Sequence, residues 1–274
     1  MAVSFFTHYI IDQFKEGRFK SVEDAFDHCY KKGIRFGDML RWMDEYPMHT
    51  HCKLLRNSGI EPECLIVCYG ITDFNKNKRE AEIALVKEKI DVMSKLDVPL
   101  MMLVPKILCV RSEDEKKRHH NLMIESYAEL CEYSKGSGVT ITLENQSEPR
   151  RPDSNMEDIK VILDSVPELR YVLDCGNYFC VKQDVLAAYD LLKDKTVHMH
   201  AKDWVYSPYG DFASANIPRY NGAPLGKGVV PLDKIAEKAK AYGYNGSAVV
   251  EINSPVTWDE FDESIEFLGN EFGI

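Results

Sequence analysis

Short apolar runs alternate with stretches of helical spacing along the whole of this chain, and that alternation limits the folds open to it. The runs span 3–6, 33–38, 63–69, 100–105, 139–144, 171–174, 196–200 and 247–251. Between them, Ile83, Val86, Ile90 and Met93 follow a 3-4-3 spacing, as do Trp258, Phe261, Ile265 and Leu268. Met123, Tyr127 and Leu130 make a third stripe. Stripes of this kind are the core-facing sides of helices. Ser154 to Glu157 and Thr257 to Glu260 both fit a capping box, and Pro231 suits the first turn of a helix that ends at Gly243. Glycines at 33, 136, 138, 243 and 246 mark turns before the next run. Strict strand–helix alternation predicts a parallel sheet, and eight units predict closure into a single (β/α)8 TIM barrel of the α/β class. The 274 residues suit such a barrel, which takes about 250. No Pro/Ser-rich linker divides the chain, so 1–274 reads as one domain.

Four of the runs stop on a side chain that can bind a cation: Glu144, Asp174, His200 and Glu251. A carboxylate or imidazole at the end of an apolar run is a costly group to bury alone. Residues i and i+2 of a strand share a face, so Thr142 with Glu144, Val172 with Asp174, His198 with His200 and Val249 with Glu251 would point into the barrel together. Barrel enzymes build their sites at this carboxyl-terminal rim. Rim hydrogen bonds would explain one such ending. Four of them, three being carboxylates that repel one another, predict one divalent cation of the Mn²⁺, Mg²⁺, Co²⁺ or Zn²⁺ kind, with oxygen-rich ligands rather than thiolates.

Composition narrows the partners. A formal net charge of −10 argues against a nucleic-acid enzyme, because Arg150-Arg151 and Lys116-Lys117-Arg118 are too short to form a footprint on phosphates. No run approaches the roughly 18 apolar residues of a membrane helix. The first residues lack the basic stretch of a signal peptide. Eight scattered cysteines, at 29, 52, 64, 68, 109, 131, 175 and 180, read as reduced core thiols of a cytoplasmic protein.

The segments Thr142-Leu-Glu144-Asn145, Leu173-Asp174-Cys-Gly176-Asn177, His198-Met-His200-Ala-Lys202-Asp203 and Val250-Glu251 resemble the marks of the xylose isomerase-like TIM barrels, the sugar-phosphate isomerase/epimerase superfamily. Leu225-Gly-Lys-Gly-Val resembles the loop before that family's eighth unit, so the resemblance covers nearly the whole chain. It implies Glu144, Asp174, His200 and Glu251 as metal ligands, with Glu144 and Glu251 also moving protons on opposite faces of a small sugar, polyol or sugar-derived acid. The chemistry is sensible: a cation that chelates a carbonyl and its neighbouring hydroxyl acidifies the α-carbon proton and stabilises the enediolate. Two carboxylates can then deprotonate and reprotonate. The implied activity is isomerisation or epimerisation. A dehydratase of the inosose or dehydroshikimate kind begins with the same proton abstraction, and a non-catalytic ligand-binding barrel is the reading from another class. The chain departs from the epimerase branch at Asn177, where many relatives have histidine, and at Tyr206, where many have arginine. The three-zinc endonucleases of the superfamily need further histidines where the third and fourth runs end on Tyr69 and Pro105-Lys106.

Other residues fall near the rim. Lys202 shares the parity of His200 and either donates to an oxyanion or pairs with a ligand carboxylate. His8, Asp38, Tyr69 and Lys106 follow the first four runs. Lys106 is placed to hold a substrate carboxylate or phosphate, or else is a solvated loop lysine. His198 reads as a core histidine one layer below, and Asn145 and Asn177 as residues that orient ligands. The polar stretch 146–155 suits a substrate lid. The stretch 204–228 lacks periodicity and carries Trp204, Tyr206, Tyr209, Phe212 and Tyr220, which would line a sugar face, form a homo-oligomer contact or pack on themselves.

Overall fold

A computed structural model describes the chain apart from residues 16, 41–45, 108–109, 211–218, 254–256 and 274, and gives no side chains for 12–15. Cys109 and Phe212 therefore lie outside the described residues. In order the elements are β1 (Ala2–Phe6), α1 (Thr7–Lys15), α2 (Val22–Lys31), β2 (Phe36–Leu40), α3 (Met48–Asn57), β3 (Glu61–Tyr69), α4 (Lys76–Lys95), β4 (Leu100–Pro105), α5 (Glu113–Ser134) and β5 (Thr140–Glu144). They continue as α6 (Met156–Ser165), β6 (Arg170–Asp174), α7 (Cys175–Cys180), α8 (Val185–Leu192), β7 (Thr196–Tyr206), β8 (Tyr220–Ala223), α9 (Leu232–Ala241), β9 (Ser247–Glu251) and α10 (Trp258–Phe272). Strands β1 to β7 and β9 pair in parallel, and β9 closes on β1. The result is the single (β/α)8 TIM barrel expected from the alternation.

The two faces of each strand feed two cores. Ile83, Val86, Ile90 and Met93 of α4, with Met123, Tyr127 and Leu130 of α5, pack on the outward strand faces in one large apolar shell. Inside the barrel a smaller cluster of Phe6, Leu40, Cys64, Ile66, Met102, Val172 and Val249 fills the lumen, so no open pore runs through it. The capping box at Thr257 and Glu260 forms, with both bonds made. That at Ser154 does not: Asn155 is the cap and accepts from the amide of Asp158, because Ser154 donates instead to the Arg151 carbonyl.

Three boundaries differ from expectation. Gly33 adopts φ +104° in a turn, so β2 starts at Phe36 and Asp38 sits within the strand rather than at the rim. β3 carries a bulge: Gly37 pairs with Pro62 and Asp38 with Cys64, which leaves Glu63 as the extra residue. β7 does not stop at His200. It runs on to Tyr206 and pairs antiparallel with β8, from Asp203 against Ala223 to Tyr206 against Tyr220. Alternation of polar and apolar residues is lost there because Trp204 is buried on the hairpin while Val205 and Tyr206 face solvent.

Candidate metal centre

The four strand-end residues converge. One ligand atom from each of Glu144, Asp174, His200 and Glu251 lies within 4.8 Å of the others, and all four side chains are nearly inaccessible. Strand register produces this: Asp174 of β6 pairs with His200 of β7, and Lys202 of β7 pairs with Glu251 of β9. His200 Nδ1 lies 2.6 Å from Glu144 Oε1 and 3.4 Å from Glu251 Oε2. Lys202 Nζ lies 2.6 Å from Asp174 Oδ2, 2.5 Å from Glu251 Oε1 and 3.3 Å from Asn177 Oδ1. Lys202 thus makes the carboxylate pairing that the sequence allowed for it.

The electrostatics follow from these contacts. Burial alone would lower His200, but Glu144, Asp38 and Glu251 around it raise it well above the usual imidazole value. Lys202 loses water as well, yet Asp174 and Glu251 hold its ammonium firmly protonated. Burial pushes Glu251 up to about 7, with Lys202 pulling it down and Asp174 pushing it up. With the imidazole neutral, as a metal ligand must be, three carboxylates against one ammonium leave two negative charges, which a single divalent cation balances. The donor set suits such an ion too, with hard oxygens and one imidazole. Glu251 Oε2 is buried without a hydrogen-bond partner and is thereby available as a ligand atom. The residues present fit the metal the sequence led us to expect.

A frame of buried amides holds the site. Asn145 Nδ2 donates to the Asp174 carbonyl, and its Oδ1 accepts from the Asp174 amide and the Tyr171 hydroxyl. Asn177 Nδ2 donates to the Asn145 carbonyl, and its amide donates to Asp174 Oδ1. These two asparagines thus orient ligands and lock the ends of β5 and β6 together. Gln146 Nε2 donates to Glu144 Oε2 at 2.9 Å. The stretch 146–155, expected as a lid, is tied down: Arg151 pairs with Asp153 and donates to the Pro105 and Ile107 carbonyls.

The remaining rim residues are placed less uniformly. His8, in the first turn of α1, is buried with its ring 4.1 Å from Tyr9 and 5.6 Å from Phe6, which packs edge-on to His200 at 4.9 Å. Lys106 is exposed beyond β4, and Tyr69 packs on the outer core. Trp204 is buried, with its Nε1 donating to the Gly176 carbonyl and its ring edge-on to Tyr220. Asp203 accepts from the amides of Gly226, Gly228 and Val230, which explains the Leu225-Gly-Lys-Gly segment as a loop wrapped on a carboxylate. A Cβ at Gly228 would fall 2.2 Å from that carboxylate.

Sequence reasoning missed Tyr9 and Glu63, and read Gln146 only as the start of a lid. Tyr9 is half-buried against the lumen cluster, and desolvation and the charge of Glu251 raise its hydroxyl. Its sequence gives no sign, because it lies in a helix rather than at a strand end. Glu63 faces inward only through the bulge, accepting from Ser247 Oγ at 2.7 Å.

With the geometry in hand, comparison with known proteins defines the class. The model of the xylose isomerase-like TIM barrel family matches residues 19–271, and the chain belongs to that family. An uncharacterized protein of Methanocaldococcus jannaschii is 28% identical over 145 residues, 51% of this chain and 54% of that protein, so the match spans about half its length. Among solved structures, the IolI protein with a bound zinc atom superposes with a TM-score of 0.74 at 16% identity, over 99% of this chain and 96% of that one. A D-tagatose 3-epimerase-like protein gives 0.75 at 15% identity, over 100% and 97%. The probable 3-DHS dehydratase AsbF of Bacillus anthracis gives 0.72 at 16% identity, over 98% and 99%. At these identities the likeness establishes the fold.

Proposed function

We propose that this protein is a divalent-metal-dependent isomerase or epimerase of a small sugar, polyol or sugar-derived acid. The observation that carries the reading is the convergence of Glu144, Asp174, His200 and Glu251 within 4.8 Å around a charge deficit of two. These four side chains would hold the cation, which when bound supplies Lewis-acid polarisation of a substrate carbonyl and adjacent hydroxyl. The chain's own groups supply the proton movements. Glu251, a carboxylate at the end of β9, is placed to give or take the proton as a general acid–base group. Glu144 is the partner carboxylate, oriented by Gln146 and His200. One carboxylate removes the proton from the carbon beside the carbonyl, and the other returns a proton to the opposite face or to the neighbouring carbon. Lys202 holds Glu251 and Asp174 in register and keeps the cluster from repelling itself. Phe6, Leu40 and Ile66 give the lumen beneath an apolar floor that keeps water from the reacting carbon.

A dehydratase is the second reading. It is favoured by Asn177, whose amide is spent on Asn145 and Lys202 where the epimerase branch resembled by the sequence has an imidazole. Its first step uses the same glutamates and then expels a β-hydroxyl. The zinc of the IolI protein and the names of the epimerase-like and dehydratase structures support both readings. A cytoplasmic setting belongs to the proposal, on the ground that the seven described cysteines are free thiols.

The test is incubation with ketoses, inososes and 3-keto acids in D₂O with added Mn²⁺, Co²⁺ or Zn²⁺, followed by NMR. Deuterium entering at the carbon beside the carbonyl, with interconversion of isomers, supports the first reading. Loss of water supports the second. No exchange into any member of the panel with metal bound would leave a binding barrel and defeat both.

A further inference from the structure

Beneath the four ligands lies a second layer of ionisable groups that the proposed chemistry does not use. Asp38 of β2 is inaccessible to solvent; its Oδ2 lies 2.7 Å from His198 Nε2 and its Oδ1 accepts from Ser4 Oγ at 3.2 Å. His198 Nδ1 in turn faces Glu63 Oε2 at 3.9 Å, and Glu63 Oε1 accepts from Ser247 Oγ. The same Asp38 Oδ2 lies 3.4 Å from His200 Nε2, the ring nitrogen on the far side from Glu144. That nitrogen is fully buried and has no hydrogen-bond partner, and Asp38 is the one carboxylate within ion-pair reach of it among the described residues.

A histidine can give a lone pair to a cation through one nitrogen only if its proton resides on the other, and a buried carboxylate facing that other nitrogen fixes both the tautomer and the ring. We infer that Asp38 is a positioning residue that presents His200 Nδ1, rather than Nε2, as the ligand atom, and that His198, Ser4, Glu63 and Ser247 exist to hold Asp38 in place. The geometry is specific. Nδ1 faces Glu144 and Glu251, and Nε2 faces Asp38, so the two nitrogens of one ring belong to the two layers. The close Asp38–His198 contact ties the lower layer together; Asp38, His198 and His200 also lie close enough to share an ion, and the stoichiometry in the titration below separates that arrangement from the positioning role.

The inference rests on the metal-holding reading above, and its test separates the two. The protein is titrated with Co²⁺ while its visible absorption is followed, for the wild type and Asp38→Asn. The expected result is one equivalent bound by both, with affinity in the variant lowered roughly 10- to 100-fold and a shifted absorption band from the reoriented imidazole. Equal affinity and an identical band overturn the positioning role while leaving the metal site intact. Two equivalents in the wild type falling to one in the variant overturn it too, making Asp38 a ligand. No Co²⁺ bound by the wild type overturns both readings. Should Asp38→Asn fail to fold, long-range ¹⁵N–¹H NMR of the Zn²⁺-loaded wild type decides alone. The proton on His200 Nε2 supports the inference, and zinc on Nε2 overturns it.

Discussion

The barrel interior holds two ionisable layers built from the same residue types and balanced in opposite ways. In the lower layer, Asp38 is held by His198 and the Ser4 hydroxyl, and Glu63 by the Ser247 hydroxyl. Burial opposes ionisation of Asp38, yet His198 and His200 hold it at about 2. In the upper layer, three carboxylates face one lysine and one histidine, and burial leaves Glu251 at about 7. A closed layer stabilises a fold. An unbalanced one, positioned at the carboxyl ends of parallel strands, is a place for a cation and a substrate.

Substitutions should therefore separate the layers. The largest effect belongs to Glu251→Gln, which removes a proposed ligand and proton carrier; turnover on a competent substrate should fall by roughly 10²- to 10⁴-fold while the far-UV spectrum stays unchanged. His198→Ala should do the reverse. It strands the buried Asp38 charge and should cost about 3–5 kcal/mol in denaturant unfolding, with metal stoichiometry kept where the protein still folds.

Solution pH sharpens the same contrast. Glu251 keeps its proton in the folded chain up to about 7, whereas the unfolded chain releases it near 4.5. The group therefore contributes stability that is full below about 4.5 and is lost as pH rises through about 7. A cation needs the free carboxylate and a neutral imidazole, so metal affinity should rise over this interval, by about tenfold per pH unit for each proton displaced, and keep rising until the His200 proton is lost as well. Asp38 has the opposite sign. Its contribution is present above about 3.8 and is lost as pH falls through about 2, so cation binding at neutral pH should not sense it. Isothermal titration at several pH values checks both.

Smaller effects follow from packing. At Gly176 a Cβ would meet Lys202 Cγ and Trp204 Nε1, each at 2.7 Å, so Gly176→Ala should cost about 1–3 kcal/mol and weaken metal binding by moving Lys202. Ser247→Ala removes one bond to Glu63 and should cost about 1 kcal/mol, with one equivalent of metal still bound.

The upper layer was legible in the sequence and the lower one was not, for a physical reason. Glu144, Asp174, His200 and Glu251 interrupt apolar runs at their ends, where period-2 alternation assigns them to the interior. Asp38 was displaced to the rim because the start of β2 was read at Gly33, three residues early, and Glu63 reaches the lumen only through a bulge that no alternation pattern encodes. Lys202 was placed on the correct face, but its choice between substrate and carboxylates depended on a register with Glu251 that only the closed barrel sets. The β7–β8 hairpin was invisible because β8 is four residues long and pairs through backbone rather than through an apolar pattern.

The central claim is that the upper layer holds one divalent cation. Elemental analysis of the purified protein beside Asp174→Asn tests it most directly, since Asp174 is a proposed ligand that the proposal does not also use as a proton carrier. We predict about one equivalent of Mn, Co, Zn or Mg per wild-type chain, largely lost from the variant. A wild type with no tightly held metal, which none of these ions stabilises against heat, would contradict the account. So would a variant that keeps the full equivalent.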